Sequence, residues 1–345
     1  MEKGHVSVLV ALDLSAAFDT VDHGILCNIL EHDFGIKDGA IRWIKSYLKD
    51  RQMCVKVDKV KSPLHSFNFS VPQGSCLGPL LFNLYASSIT ECVGPQQHIA
   101  GYADDHIIKD TFNPSSATEE SACISRLERT LDKVVSWMQS NVLKMNTDKT
   151  EVALFGSHAM MAKTRTTSIC VDGDIVRTCD KLKYLGVWLD NNLNLQHHIQ
   201  TKVKTAANCV RSIAKIRDFI DDDTAKLLAT SLVLTHLDYA NCILFGLPAN
   251  SIEKLQRVQN LAAKVVLKRS KYDSSKDALR ELHWLPVQER IKFKILCMVF
   301  KCLNNMALRY LANLLSLKQF SRTTRSSHAV LPLTEPFTKK STFAS

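Results

Sequence analysis

The first long apolar run, Val6-Ser7-Val8-Leu9-Val10-Ala11-Leu12, is interrupted only by a serine and stops at Asp13. A run of this kind predicts a strand buried on both faces, with its acid emerging at the strand end. Asp22 is placed to cap a helix over residues 23–32, and Asp38 another ending at residue 48. Residues 52–57 and 64–71 read as strands joined by a turn at 58–63. Pro72-Gln73-Gly74-Ser75 breaks the pattern, and a helix is predicted from 77 to 91. The two acids of Tyr102-Ala103-Asp104-Asp105 then fall at a tight turn between residues 97–101 and the apolar pair Ile107-Ile108. Over 116–142, Ile124, Leu127, Leu131, Val134 and Met138 recur at spacings of three and four, which predicts an amphipathic helix laid on a sheet. Residues 151–155, a hairpin turning at Asp172-Gly173, and residues 183–189 add β-structure.

From residue 195 the period becomes helical. Val203, Ala206, Val210, Ile213 and Ile216 form one stripe; Ile252, Leu255, Val258, Ala262 and Val265 form a second; residues 291–303, after Pro286, form a third. Residues 319–345 are Ser/Thr-rich and basic with little periodicity, which predicts a flexible tail.

A chain of 345 residues with 46% hydrophobic content can build two domains with substantial cores. No apolar run reaches membrane-spanning length; the best, residues 227–247, is interrupted by Ser231, His236, Asp238 and Asn241. The N-terminus leads straight into the first strand, so no signal peptide or other targeting signal is read there. The eleven cysteines show no C-x-x-C pair and no histidine at ligand spacing. That argues against a zinc site and for reduced thiols in an intracellular compartment, nuclear or cytoplasmic. The net charge of +10 is uneven: residues 1–190 hold 20 Lys and Arg against 23 Asp and Glu, and the remainder holds 24 against 11. A near-neutral half carrying acids, joined to a basic half, fits a catalytic unit followed by an element that grips a phosphate backbone. On charge alone, a merely solvated basic surface reads equally well.

Adjacent carboxylates repel and are costly to desolvate, so a hairpin tip built from Asp104-Asp105 calls for a cation. With Asp13 they make three hard oxygen ligands, suited to two Mg²⁺ ions and in-line displacement at phosphorus. Phe18, five residues beyond Asp13, either crowds a sugar 2′-hydroxyl or is a core aromatic; Asp19 and Asp22 either join the site or cap the next helix. The loop at 71–75 either contacts a base pair or is only a turn.

Taken in order, these stretches resemble the reverse transcriptases of non-LTR (LINE-type) retrotransposons, the jockey-like branch in particular. Residues 12–23 are similar to the first palm motif, 71–85 to the second and 100–105 to the third. Residues 137–155, with Asn141, Asn146 and Lys149-Thr150-Glu151, resemble the fourth, and Tyr184-Leu185-Gly186-Val187 resembles the primer grip. The resemblance covers the chain to about residue 315. It implies an α+β fold: a polymerase palm with a small antiparallel sheet backed by helices (residues 1–190, including a partial fingers segment between the first two motifs). A helical thumb-like domain (191–317) and a basic tail (318–345) would follow. The implied activity is RNA-directed DNA polymerisation with Mg²⁺ or Mn²⁺, acting on an RNA template, a DNA primer and deoxynucleoside triphosphates, with no membrane partner.

Residue by residue, the resemblance makes Asp13, Asp104 and Asp105 the catalytic metal ligands and Phe18 the steric gate. Gln73 and Gly74 become nucleotide and template contacts, and Lys149 the lysine beside the departing pyrophosphate. Tyr184, Leu185 and Gly186 would hold the primer 3′ end. On the helix around residues 252–268, Lys254, Arg257, Lys264 and Lys268 fall within an arc of about 80° at 100° per residue, and are expected to face a nucleic-acid backbone. Only twelve residues precede Asp13, where the resemblance implies a fingers region and an endonuclease. An N-terminally truncated element is therefore expected. The alternative functions are a catalytically inactive remnant or a nucleic-acid-binding module lacking the fingers.

Overall fold

The computed structural model describes residues 4–72 and 74–315. Gln73 and the expected basic tail from residue 318 lie outside the described residues. The chain divides after Leu193 into two compact units.

In the first unit, the opening apolar run forms β1 (Val6–Leu12). It lies inside a six-stranded sheet with β2 (His98–Tyr102), β3 (Asp105–Phe112), β4 (Glu151–Phe155), β5 (Ser168–Val171) and β6 (Asp174–Cys179), in the order β2-β3-β1-β4-β6-β5. Every pairing is antiparallel except β4 with β6. Val6, Val8, Val10 and Leu12 are fully buried, whereas Ser7, Leu9 and Ala11 are only half-buried, so the expectation of burial on both faces is met on one. The reason is the unequal cover. One face packs on the main core with the helices, and the other meets a small cluster of Ile107, Ala153, Phe155 and Leu182. A two-stranded hairpin, β7 (Lys181–Tyr184) and β8 (Val187–Asp190), supplies part of that cluster.

The helices behind the sheet follow the sequence closely. Asp22 caps α1 (His23–His32) by accepting from Ile25 N–H at 2.8 Å. The next helix, α2 (Asp38–Leu48), starts without a side-chain cap, and Asp38 itself has φ 54°. After the loop at 72–75 comes α3 (Gly78–Tyr85), which gives way to a 3₁₀ turn, Ser87–Cys92, instead of continuing to residue 91 as one helix. Ser116 caps α4 (Ala117–Ser140), and its Leu127, Leu131, Val134 and Met138 are buried as their spacing predicts. A polar lock joins α4 to β3: Arg126 donates twice to the buried Asp110 carboxylate, at 2.8 Å each. Gln97 donates to the same group at 3.1 Å and accepts from Thr130 at 2.7 Å.

The expected strands at 52–57 and 64–71 shrink to two-residue ladders, Gln52–Met53 with His65–Ser66 and Lys56–Val57 with Val60–Lys61. All eight residues are exposed; with no second layer to bury either face, the ladder has little to hold it.

The second unit is helical: α5 (Gln196–Ile216), α6 (Asp222–Ala229), α7 (Ala249–Val266), α8 (Ser275–Glu281) and α9 (Val287–Leu303). Ile199, Ala206, Val210 and Ile213 on α5 and Leu255, Val258 and Ala262 on α7 are buried where these two helices pack. The third expected stripe does not form a core face. On α9 only Val287, Ile291 and Cys302 are buried, while Phe293, Leu296 and Phe300 are exposed. Buried Arg217 closes the C-terminal end of α7, donating to the carbonyls of Val265 at 3.2 Å and Val266 at 3.0 Å. Among the described residues no helix is long and apolar enough to cross a membrane.

His198, buried on α5, has its imidazole pushed down to about 4 by burial, with Lys202 and His197 adding repulsion. The unfolded chain takes up a proton near the ordinary histidine value while the folded chain refuses it, so stability falls as pH drops from about 6.5 towards 4. Urea titrations between pH 7 and 4.5 on the parent and on His198→Gln should show a shallower acid decline in the variant.

Candidate active site

The site is set by strand register. Leu12, the last residue of β1, sits opposite His106 on β3, so Asp13, one residue beyond β1, and Asp105, the first residue of β3, lie at the same end of the sheet. β2 and β3 are joined by Ala103-Asp104, a two-residue turn closed by Tyr102 opposite Asp105. Ala103 carries the turn with φ 54°, a left-handed conformation that its small side chain tolerates better than a branched one.

Beyond Asp13 the chain stays antiparallel to the segment that leads into β4. Asn146 N–H donates to the Asp13 carbonyl at 2.9 Å, and Ser15 N–H to Lys144 at 2.9 Å. The 3₁₀ turn Thr147–Lys149 is thereby brought alongside, and Lys149 Nζ lies 3.6 Å from Asp13 Oδ2. That oxygen is enclosed and has no hydrogen-bond partner. The Asp105 carboxyl is pushed up, first by burial and then by the charges of Asp104 and Asp13. The Tyr184 phenol on the β7–β8 hairpin is pushed up by burial and then by the charge of Asp105. The hairpin's turn, Leu185-Gly186, has both residues at positive φ, 45° and 75°. The backbone thus gathers the three acids, but their carboxylates stay apart. Among the described residues no three His, Cys, Asp or Glu side chains are placed to hold a metal ion together. Uncompensated like charges in a partly desolvated site repel one another, which opposes a closer cluster.

Phe18 stacks on Phe82, with centroids 4.6 Å apart and planes at 29°, and lines a cavity of about 500 Å³ with Gly101, Tyr102, Ala103 and His106. Its carbonyl accepts from Val71 N–H at 2.9 Å, so the first and second motifs are joined through the backbone. Gly74 has φ 80°, and Ser75 Oγ accepts from the N–H of Gly78, the first residue of α3, at 3.0 Å. In the second unit, Lys254, Arg257 and Lys264 of α7 each meet a neighbour within that unit, and so does Lys268, which the expected helix included but which lies past the end of α7 with φ 51°. Lys254 reaches Gln196 at 3.1 Å, Arg257 reaches Glu253 at 2.9 Å and Lys264 the Lys271 carbonyl at 2.7 Å, while Lys268 is 3.5 Å from Asp218. Exposed contacts of this type contribute about 0–1 kcal/mol and exchange readily for a phosphate.

The family described as reverse transcriptase (RNA-dependent DNA polymerase) matches residues 1–189. The chain belongs to that family. It is 28% identical over 297 residues to the RNA-directed DNA polymerase from mobile element jockey of Drosophila melanogaster, covering 82% of this chain and 31% of that protein. It is 26% identical over 298 residues to the probable RNA-directed DNA polymerase from transposon BS of the same species, again covering 82% and 31%. The chain therefore spans about a third of the length of these curated relatives. Among solved structures, apo telomerase from Candida tropicalis has a TM-score of 0.41 at 11% identity, covering 80% of this chain and 42% of that one.

Two residues that sequence reasoning passed over also shape the site. His106 is buried beneath the acid turn, with Nδ1 3.1 Å from the Asp104 carbonyl, and its ring lies so close to Gly101 that a Cβ there would stand 2.7 Å from it. A glycine inside a strand beside an aromatic-x-Asp-Asp turn was a readable signal of such an approach. Tyr85, fully buried on α3, donates to the Asn141 carbonyl and lies 3.4 Å from Asp22 N–H, tying three motifs together. Within an apolar helix pattern nothing distinguishes it from an ordinary core residue.

Because the Asp105 carboxyl titrates above its unfolded value, its ionisation opposes folding at neutral pH. Asp105 is exposed, so solvent screening keeps the effect small, and in metal-free buffer Asp105→Asn should raise the thermal midpoint by about a degree. A midpoint at or below the parent's would show that the acid is neither desolvated nor crowded.

Proposed function

We propose that the chain carries the catalytic core for RNA-templated DNA synthesis. A primer 3′-hydroxyl attacks the α-phosphorus of a deoxynucleoside triphosphate, and pyrophosphate leaves. The observation that supports this best is the meeting of Asp13, the Asp104-Asp105 turn and Lys149 at one end of the sheet.

An all-oxygen donor set in which one enclosed carboxylate oxygen, Asp13 Oδ2, accepts no hydrogen bond suits a hard divalent cation. Asp13, Asp104 and Asp105 would hold Mg²⁺ or Mn²⁺, which when bound lowers the pKa of the 3′-hydroxyl and neutralises charge on the phosphates. Lys149, exposed and close to Asp13, turns its ammonium to the departing pyrophosphate, where it neutralises charge or donates a proton. Phe18 crowds a ribose 2′-hydroxyl from the cavity wall. Gly74, with Gln73 beside it in sequence, contacts nucleotide and template, and Tyr184, Leu185 and Gly186 hold the primer end. Lys254, Arg257, Lys264 and Lys268 contact phosphates without reading bases. The partners are then an RNA template, a DNA primer and deoxynucleoside triphosphates.

The test is primer extension on poly-rA/oligo-dT with Mg²⁺ or Mn²⁺. Asp104→Asn should reduce extension by about a hundredfold or more, and Phe18→Ala should raise ribonucleotide use relative to deoxynucleotide use. A parent chain that binds the hybrid but extends nothing would be a nucleic-acid-binding module. Extension that survives Asp104→Asn would remove the acids from the chemistry.

A further inference from the structure

On α2, Trp43 and Tyr47 are four residues apart and share one side of the helix, with ring centroids 6.0 Å apart and planes at 14°. Arg51, just past the helix end, places its guanidinium 4.4 Å from the Tyr47 centroid and donates through Nε to the Tyr47 carbonyl at 2.7 Å. Tyr47 packs partly against the core, whereas Trp43 is 58% exposed. A tryptophan held flat against a tyrosine, itself backed by an arginine, is a rigid stacking surface with its outer face open.

The chain then runs into the exposed ribbon of residues 52–66, where Lys56 stands directly opposite Lys61. Like charges in directly opposed positions destabilise a hairpin unless an anion lies between them. From residue 37 to 67 there are eight lysines and arginines against three aspartates, within a half-chain whose total is 20 against 23. A rigid aromatic surface open to solvent, followed by paired cations, has the chemistry that recognises unpaired bases joined by phosphates.

We propose that the Trp43–Tyr47–Arg51 face of α2, with Lys56 and Lys61 of the ribbon, binds a single-stranded segment of RNA. A base stacks on Trp43 and the following phosphates lie along the two lysines. The choice of RNA rests on the proposed RNA-templated function; the stacking and charge do not.

The test is fluorescence anisotropy with a labelled, unstructured 16-nucleotide RNA at several salt concentrations, using the parent chain, Trp43→Ala, Trp43→Phe and Lys56→Gln/Lys61→Gln. All three positions are exposed, and circular dichroism with thermal midpoints checks that the fold is kept. Trp43→Ala should weaken binding by roughly tenfold, and Trp43→Phe should retain most of the affinity. The lysine pair should lower the log–log salt slope by about 1.4, at about 0.7 per phosphate on a single strand. RNA should quench the parent's tryptophan emission more than that of Trp43→Phe, and the same RNA in a duplex should be insensitive to Trp43. Unchanged affinity and slope in the variants, equal Trp43 dependence on duplex, or a parent dimer that Trp43→Ala dissociates in sedimentation would each overturn the proposal. Since none of these readouts needs polymerisation, an inactive chain with Trp43-dependent RNA binding would leave the proposal standing and remove only the polymerase reading.

Discussion

The pairing of β1 with a neighbour on each side is the constraint from which the site follows. Four of its side chains, Val6, Val8, Val10 and Leu12, are fully buried on one face, each contributing about 1.5–3 kcal/mol relative to exposure. A slip of one residue would turn those four to the half-covered face and bring Ser7 into the core, so the register is held by packing. The acids have no say in it. Asp13 comes to the end of the sheet where Asp105 begins β3, and Lys149 next to Asp13, in the register that this packing holds against a one-residue slip.

Two aspartates of a single strand show how surroundings divide structure from chemistry. Asp110 is buried and Asp105 exposed, yet Asp110 is met by both prongs of Arg126 and by Gln97, so its charge is answered and serves to fasten α4. Removing one partner of such a pair typically costs about 3–5 kcal/mol. Asp105, five residues away, faces two more carboxylates and a buried histidine whose charged form is itself disfavoured by burial. A strand that can neutralise an acid at one end and leaves it crowded at the other has given up stability where a ligand can return it.

Sequence patterns were most informative where a single period ruled a long stretch. The burial of Leu127, Leu131, Val134 and Met138 and the acid turn between two strands follow from spacing and from turn chemistry alone. Spacing was misleading where the partner surface was thin. The ribbon at 52–66 alternates like a strand but has nothing to lie on, and α9 has an apolar stripe of which only three residues find cover. Contacts made through the third dimension left no period at all. Tyr85 and His106 act by reaching residues far away or across a hairpin, and a linear pattern records only that one is apolar and the other is not.

The two halves of the acid site are not equally fastened. Asp13 extends from a strand clamped on both flanks, whereas Asp104 sits at the tip of a hairpin whose outer strand, β2, is the edge of the sheet and largely exposed. A force that draws the carboxylates together therefore meets a stiff wall on one side and a compliant lever on the other. Closure becomes a displacement of the lever. The deformation is absorbed at the sheet margin, few of the buried contacts that fix β1 have to yield, and the core keeps its shape while the site changes its own.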